Sequence, residues 1–319
     1  MAEAGITSVI DMALEPHALA AMVRAEANGT LTARPRAHRL LPEGQDQTPI
    51  LEEVSRIARE HRSAWLRVMG VKIVSDGVID SCTAAMKRPF ANRTHPPPIW
   101  PPEVLNPTVT AADDMGLQVA IHAVGDAAIH GALDAFERAA KANGSSGRRH
   151  RIEHVEYVDA ADVPRFGPLG ITASMQPVHA DPAIREHWAA MLGDDRAGRG
   201  YRWADLAEST VLALGTDAPT APHEALGNLF VATTRRSALR PGLGEQDAQP
   251  PLDLEAALRH ATIDAAWSCF DEGERGSLEP GKLADLVLLD RDPFSEGPES
   301  LLEARVVRTV VGGRVAYEG

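Results

Sequence analysis

The stretch "GLQVAIHAVGD", residues 116–126, decides how the rest of the chain is read. A run suited to a buried strand stops at His122, and glycine and aspartate follow. Then "DAAIHGALDAFERAAKANG" carries apolar residues at helical spacing up to a glycine stop. Strand, turn, helix is the unit of an α/β fold. Taken alone, an imidazole at such a strand end is ordinarily a satisfied core or loop histidine. Here the pattern recurs. "RIEHVE" ends another apolar run at His154, and "TVLALGTD" ends a third at Asp217.

Working outward, seven strand-and-helix units follow one another up to about residue 240. "GITSVID" (5–11) is strand-like, and "EPHALAAMVRAEANG" is a helix with a glycine stop. "LTARPRAHRLL" is a weaker strand and "ILEEVSRIAREHRSAW" a helix. "VMGVKIVSDG" is a strand, as are "HRIEHV" and "ITASMQP". "PHEALGNLFVATTRR" and "DLEAALRHATIDAAWSCF" each read as one helix. "KRPFANRTHPPPIWPP" is proline-rich and irregular, hence a long loop. Its part 93–102 reads as a lid with Trp100 as an apolar contact, or equally as a plain surface excursion. This alternation implies parallel strands with right-handed crossovers. A TIM-like barrel and an open doubly wound sheet both fit. No phosphate-binding glycine fingerprint follows any strand, which weakens the dinucleotide version. The tail differs: "GSLEPGKLADLVLLDRDPF" and "VVRTVVGGRVAYEG" are short β-branched runs, the second a hairpin about its glycine pair. The expected organisation is a barrel portion over 1–275 and a small β-sandwich portion over 276–319.

Composition narrows the partners. The 319 residues carry a formal charge of −13, which disfavours nucleic acid and anionic membrane surfaces. Two cysteines, Cys82 and Cys269, suggest a reducing, cytoplasmic compartment rather than a disulfide scaffold. No apolar run approaches the roughly 20 residues of a membrane helix. "MAEAG" reads as the last turn of a helix closing on Gly5, not as a signal peptide.

The strand ends carry the chemistry. "VKIVSDG" offers Lys72, "VAIHAVGD" His122, "RIEHVE" His154 and "LALGTDAP" Asp217. In a (β/α) barrel the active site is built at the C-terminal strand ends. Two imidazoles and a carboxylate match the N/O ligand set of a catalytic divalent site, where a bound water is acidified to a pKa near ~7. Each residue also has a plain reading. Asp217 suits the N-cap of the following helix. Lys72 is harder to dismiss, because a buried ammonium is costly unless paired or neutralised.

The order Lys, His, His, Asp on successive strands resembles the amidohydrolase superfamily. More narrowly it resembles the amidohydrolase-3 group, with its YtcJ-like and N-substituted formamide deformylase-like members. "GITSVIDM", "VKIVSDGVIDSCTAAM", "VAIHAVGDAAI", "RIEHVEYV", "SMQPVHAD", "LALGTDAP" and "GSLEPGKLADLVLLDRDPF" carry the likeness over nearly the whole chain. The resemblance implies a TIM-like (β/α)8 barrel and a metal-dependent hydrolase of non-peptide C–N bonds in a small-molecule substrate. It implies one or two divalent ions, zinc by preference, and a CO2-derived carbamate on Lys72 bridging them. His122 and His154 would be ligands, and Asp217 a ligand that also shuttles the proton. His179 and Asp181 in "QPVHAD" would face the substrate pocket, and Arg196 and Tyr201 would anchor substrate. Asp76 and Gly77 would shape the same rim or form a plain turn. One departure matters: among twelve histidines none lies two residues from another, so the His-x-His of the group's first strand is missing. The expectation is therefore a barrel lacking strand 1, truncated at its N-terminus. The alternative function is an inactive remnant. Assembly into a homo-oligomer is left open.

Overall fold

Each of the seven expected strands forms in the computed structural model, which describes residues 1–144, 147–243 and 249–319. Contacts divide the chain into two units. The first contains residues 8–89 and 93–173; the second contains 1–7, 90–92 and 174–319. The division falls inside the sixth strand.

The first unit alternates β1 (Ser8–Leu14), α1 (Pro16–Ala27), β2 (Arg34–Leu40), α2 (Thr48–Glu60) and β3 (Arg67–Val74). It continues with α3 (Pro102–Asp114), β4 (Gln118–Ala123), α4 (Asp126–Asn143) and β5 (Arg151–His154). β1 to β5 pair in parallel, each with the next in the chain. Strand β6 (Thr172–Met175) begins in this unit, where Thr172 N–H donates to His150 O at 2.8 Å. It ends in the second unit, where Gly215 N–H, just after β7 (Leu212–Leu214), donates to Met175 O at 2.9 Å. Strand order is thus chain order throughout. That is the succession of a TIM-like wall. A doubly wound sheet reverses direction at a switch point, and none occurs among the described residues.

The helices form for the reasons the sequence gives. α2 starts with proline in its first turn and buries Leu51, Val54 and Ile57, a stripe at spacing three. α4 buries Ala128, Ile129, Ala132, Leu133, Ala135, Phe136 and Ala139, small residues alternating with large ones. The segment 102–114, which the sequence reading leaves unassigned, is a helix with Pro107 inside it, where the ring removes one i→i−4 hydrogen bond. One expectation is corrected. The expected single helix over 253–270 is two, Leu254–Ala261 and Ile263–Ser268, broken at Thr262 (φ −123°, ψ −87°). Trp100 is buried at 3% exposure, so its indole packs inside.

In the second unit β8 (Leu286–Leu289), β9 (Val306–Val311) and β10 (Arg314–Glu318) form an antiparallel sheet in the order β10-β9-β8. Gly312 and Gly313 turn the β9–β10 hairpin with φ of 60° and 74°. Two consecutive left-handed residues match the right-handed twist of a hairpin, and glycine adopts them freely. The N-terminal turn Ala2–Ala4 docks on this sheet through Thr309 Oγ1–H donating to Ala2 O at 2.7 Å. Among the described residues no helix is long and apolar enough to cross a membrane.

Candidate metal centre

Parallel register stacks the side chains of the first unit in levels, because every second residue of a strand faces the same way. His38, Gly70 and Gln118 stand side by side; next come Leu40, Lys72, Ala120 and Arg151; then Val74, His122 and Glu153. The first level is structural. His38 Nε2 reaches Gln118 Oε1 at 3.0 Å across the side-chain-free Gly70. Burial, reinforced by the Arg151 charge and then by Lys72, pushes the His38 pKa down to about 3. This imidazole is neutral. In the last level Glu153 is committed to Arg151, whose Nε–H donates to Glu153 Oε1 at 2.6 Å. Lys72 lies between these levels, buried at 5% exposure, with its carbonyl accepting from Leu41 N–H.

His122 marks the C-terminal end of β4. Its carbonyl accepts from Ser75 N–H at 3.0 Å and from Ser75 Oγ–H at 2.6 Å, which fixes the strand end. Its ring Nε2 lies 3.2 Å from Gly77 O and 3.4 Å from Asp76 Oδ1. A carbonyl only accepts, so Nε2 is the donor in that contact. A metal-binding imidazole is commonly oriented by such an outer contact.

Asp76 supports this arrangement from beneath. Its side chain is 0% exposed. Val124 N–H donates to Oδ1 at 3.0 Å, while Gly125 N–H and Ala85 N–H donate to Oδ2 at 2.9 and 3.0 Å. The carboxylate thus ties the loop after β3 to the turn after His122. Gly125 is required there, because a Cβ would stand 2.1 Å from Ala85 O.

His154 closes β5 in an unusual backbone state. It has φ of 78° and Val155 has φ of 48°. Two successive non-glycine residues in the left-handed region, one of them β-branched, store strain of a kind concentrated at functional sites. The turn is held by Val155 N–H donating to Ala123 O at 3.2 Å and Tyr157 N–H donating to Val124 O at 3.0 Å. The His122 and His154 rings meet edge to face, centroids 4.4 Å apart at 65°. Glu156 follows the strained turn, and one of its carboxylate oxygens lies within 4.8 Å of an imidazole nitrogen of His154. The sequence reading passed over Glu156.

In the second unit Asp217 follows β7 with φ of 60°. His179, on the short turn Pro177–Ala180, places Nε2 3.8 Å from Asp217 Oδ2. Asn228 bridges the ends of β6 and β7: its Oδ1 accepts from Val178 N–H at 2.8 Å and its Nδ2 donates to Gly215 O at 3.0 Å. This support too was absent from the sequence reading. The loop Ala218–His223 after Asp217 lines a cavity together with Met1.

The three further residues expected at the substrate are committed to the chain itself. Asp181 is 0% exposed. Its Oδ1 accepts from Ala183 N–H and Ser237 Oγ–H, its Oδ2 from Ala238 N–H and Leu239 N–H, at 2.6 to 3.2 Å. Arg196 donates from Nε to Leu192 O at 2.6 Å. Tyr201 is buried, stacks on Trp188 with centroids 5.0 Å apart, and donates its hydroxyl to His179 O at 2.8 Å.

Imidazole and carboxylate are the N/O donor types that zinc and its first-row neighbours bind, and His154 and Glu156 bring one of each within 4.8 Å.

Comparison with known proteins agrees. A family model described as the amidohydrolase family matches residues 1–317. LONG AFTER FAR-RED 3 of Arabidopsis thaliana is 37% identical over 262 residues, which cover 80% of this chain and 44% of that protein. The N-substituted formamide deformylase of Arthrobacter pascens is 28% identical over 213 residues, 65% of this chain and 38% of that protein. The chain therefore spans less than half the length of these curated relatives. A crystal structure of an uncharacterized metal-dependent hydrolase from Pyrococcus horikoshii superposes with a TM-score of 0.77 at 29% identity, covering 91% of this chain and 57% of that one.

Proposed function

The chain belongs to the amidohydrolase family, and on that premise we propose that it serves metal-dependent hydrolysis of a non-peptide C–N bond, an amide or formamide-like bond of a small molecule. The observation that carries this reading is the paired strand-end imidazoles. His122 and His154 lie with ring centroids 4.4 Å apart, and His122 Nε2 lies 3.2 Å from Gly77 O. His122 and His154 are the proposed ligands of a divalent ion, zinc by preference. Lys72 is proposed to carry a carbamate: its ammonium gives one proton to water, the neutral amine nitrogen then bonds the carbon of CO2 and gives a second proton to water, and a buried cation becomes an anionic oxygen donor. A bound ion would supply Lewis acidity, polarising the substrate carbonyl and lowering the pKa of water.

The chain's own residues do the rest. Asp217, in the left-handed turn after β7, takes the proton of the attacking water and returns it to the departing nitrogen. His179, 3.8 Å from Asp217, faces the same substrate. Asp181, Arg196 and Tyr201 act on substrate by fixing the walls of that region, since their polar atoms are bound to the loops that form it.

The test is metal analysis and an amidase and deformylase panel on the purified chain. About one equivalent of zinc or another first-row metal is expected, lost in both His122→Ala and His154→Ala. A chain that takes up no Zn, Mn, Co or Fe, or whose uptake ignores both substitutions, overturns the reading.

A further inference from the structure

We propose that Glu156 is a metal ligand beside His154, an anionic donor that the strand-end pattern of lysine, histidines and aspartate does not include. The proposal rests on the metal-binding reading above and extends its donor set. An ion about 2.1 Å from each of two donors holds them roughly 3–4 Å apart. The observed His154–Glu156 pair, within 4.8 Å, needs only a small side-chain rotation to close on a shared ion.

The backbone is built for this approach. In a regular strand, residues two apart share a face but stand side by side without converging. Here His154 and Val155 both take positive φ, so the chain coils tightly and folds Glu156 back toward the imidazole. Val155 is fully buried, and the bonds of Val155 N–H and Tyr157 N–H to β4 lock the coil from both sides. A valine in this conformation persists only where its surroundings over-determine it, and such strain gathers where a ligand must be aimed. Glu156 itself is buried at 7% exposure. A carboxylate placed there is stabilised by an adjacent cation.

The experiment titrates Co2+ into the metal-free chain of residues 1–319 and follows visible absorption, with circular dichroism to monitor folding. Glu156→Gln is expected to weaken Co2+ binding about 10-fold or more and to shift the visible bands, because a charged oxygen donor is replaced by a neutral amide. Glu156→Asp keeps the charge on a stem one carbon shorter; it is expected to bind with intermediate affinity and an altered spectrum. This second variant decides the matter should the glutamine form fail to fold. Wild-type affinity and spectrum in both folded variants, with binding lost in His154→Ala, would overturn the Glu156 proposal and leave the metal centre standing. No Co2+ binding by the wild-type chain would overturn both.

Discussion

Each unit keeps a fully buried carboxylate near a strand-end histidine, and the two are used differently. Asp76 accepts three backbone N–H groups and lies 3.4 Å from the ring of His122. Asp181, two residues beyond His179, accepts three backbone N–H groups and the Ser237 hydroxyl. The first carboxylate closes a loop and orients a ring. The second closes a loop and holds the Ser237 hydroxyl. An acid next to a candidate ligand in sequence is therefore not automatically part of the chemistry. What decides is whether any of its lone pairs reaches past the backbone.

The sharpest way to break this comparison is to remove each carboxylate. Asp76→Ala and Asp181→Ala each strand three buried N–H donors, so each is expected to cost about 3–5 kcal/mol of unfolding free energy, measured by urea denaturation. The amide variants separate the roles. Asp76→Asn is expected to weaken zinc affinity about 10-fold, the usual scale for an outer partner of a metal-binding histidine. Asp181→Asn should leave it unchanged. Equal affinity losses in the two amide variants would show that the two carboxylates do the same thing.

A second, smaller effect asks what burial does to a histidine away from a strand end. His38 sits mid-strand, held by Gln118, with Arg151, Glu153 and Lys72 around it, and its pKa is lowered to about 3, chiefly by burial. The unfolded chain takes up this proton near pH 6.5, the folded chain only near 3. Between these values the unfolded state binds more protons, so stability falls as pH drops from 6.5 toward 3 and is untouched above 6.5. The expected slope from this group is up to about 1.4 kcal/mol per pH unit. His150, also lowered by burial, adds in the same direction. In His38→Gln the urea midpoint should depend less steeply on pH over this range. An unchanged slope would mean that His38 is not the buried neutral group described.

How much of this was legible in the sequence follows from what kind of signal each feature leaves. The strands announced themselves because a buried parallel strand needs an unbroken apolar run, and His122 and His154 stood out by ending such runs. Chain order gave parallel neighbours, but only the observed pairing excluded a doubly wound sheet. Helix α3 was left unassigned in the sequence, and it carries Pro107 in its interior. Asp181, Arg196 and Tyr201 were picked out by motif, and no motif says whether a carboxylate or hydroxyl has already been claimed by a backbone amide. Glu156 left no signal at all. Its approach to His154 depends on positive φ at His154 and Val155, residue types that give no hint of a left-handed turn, where glycine or asparagine would have.

The smallest effect probes how the His179 turn is held. Tyr201 donates its hydroxyl to His179 O at 2.8 Å, while Asp181 closes the same turn from its other side. Tyr201→Phe removes one hydrogen bond and keeps the ring on Trp188, so the expected loss is about 1 kcal/mol. In a unit of this size that lowers Tm by about 2–4 °C. The two supports meet on one short turn, Pro177–Ala180, so their effects should not simply add. Once Asp181→Asn has loosened the turn, the Tyr201 hydroxyl has less to hold. Its removal should then cost less by about 0.5 kcal/mol or more, the coupling typical of residues sharing a backbone segment. Strict additivity in this double-mutant cycle would mean that the turn is rigid by itself. The comparison would then change: His122 would depend on its carboxylate clamp for position, and His179 would not.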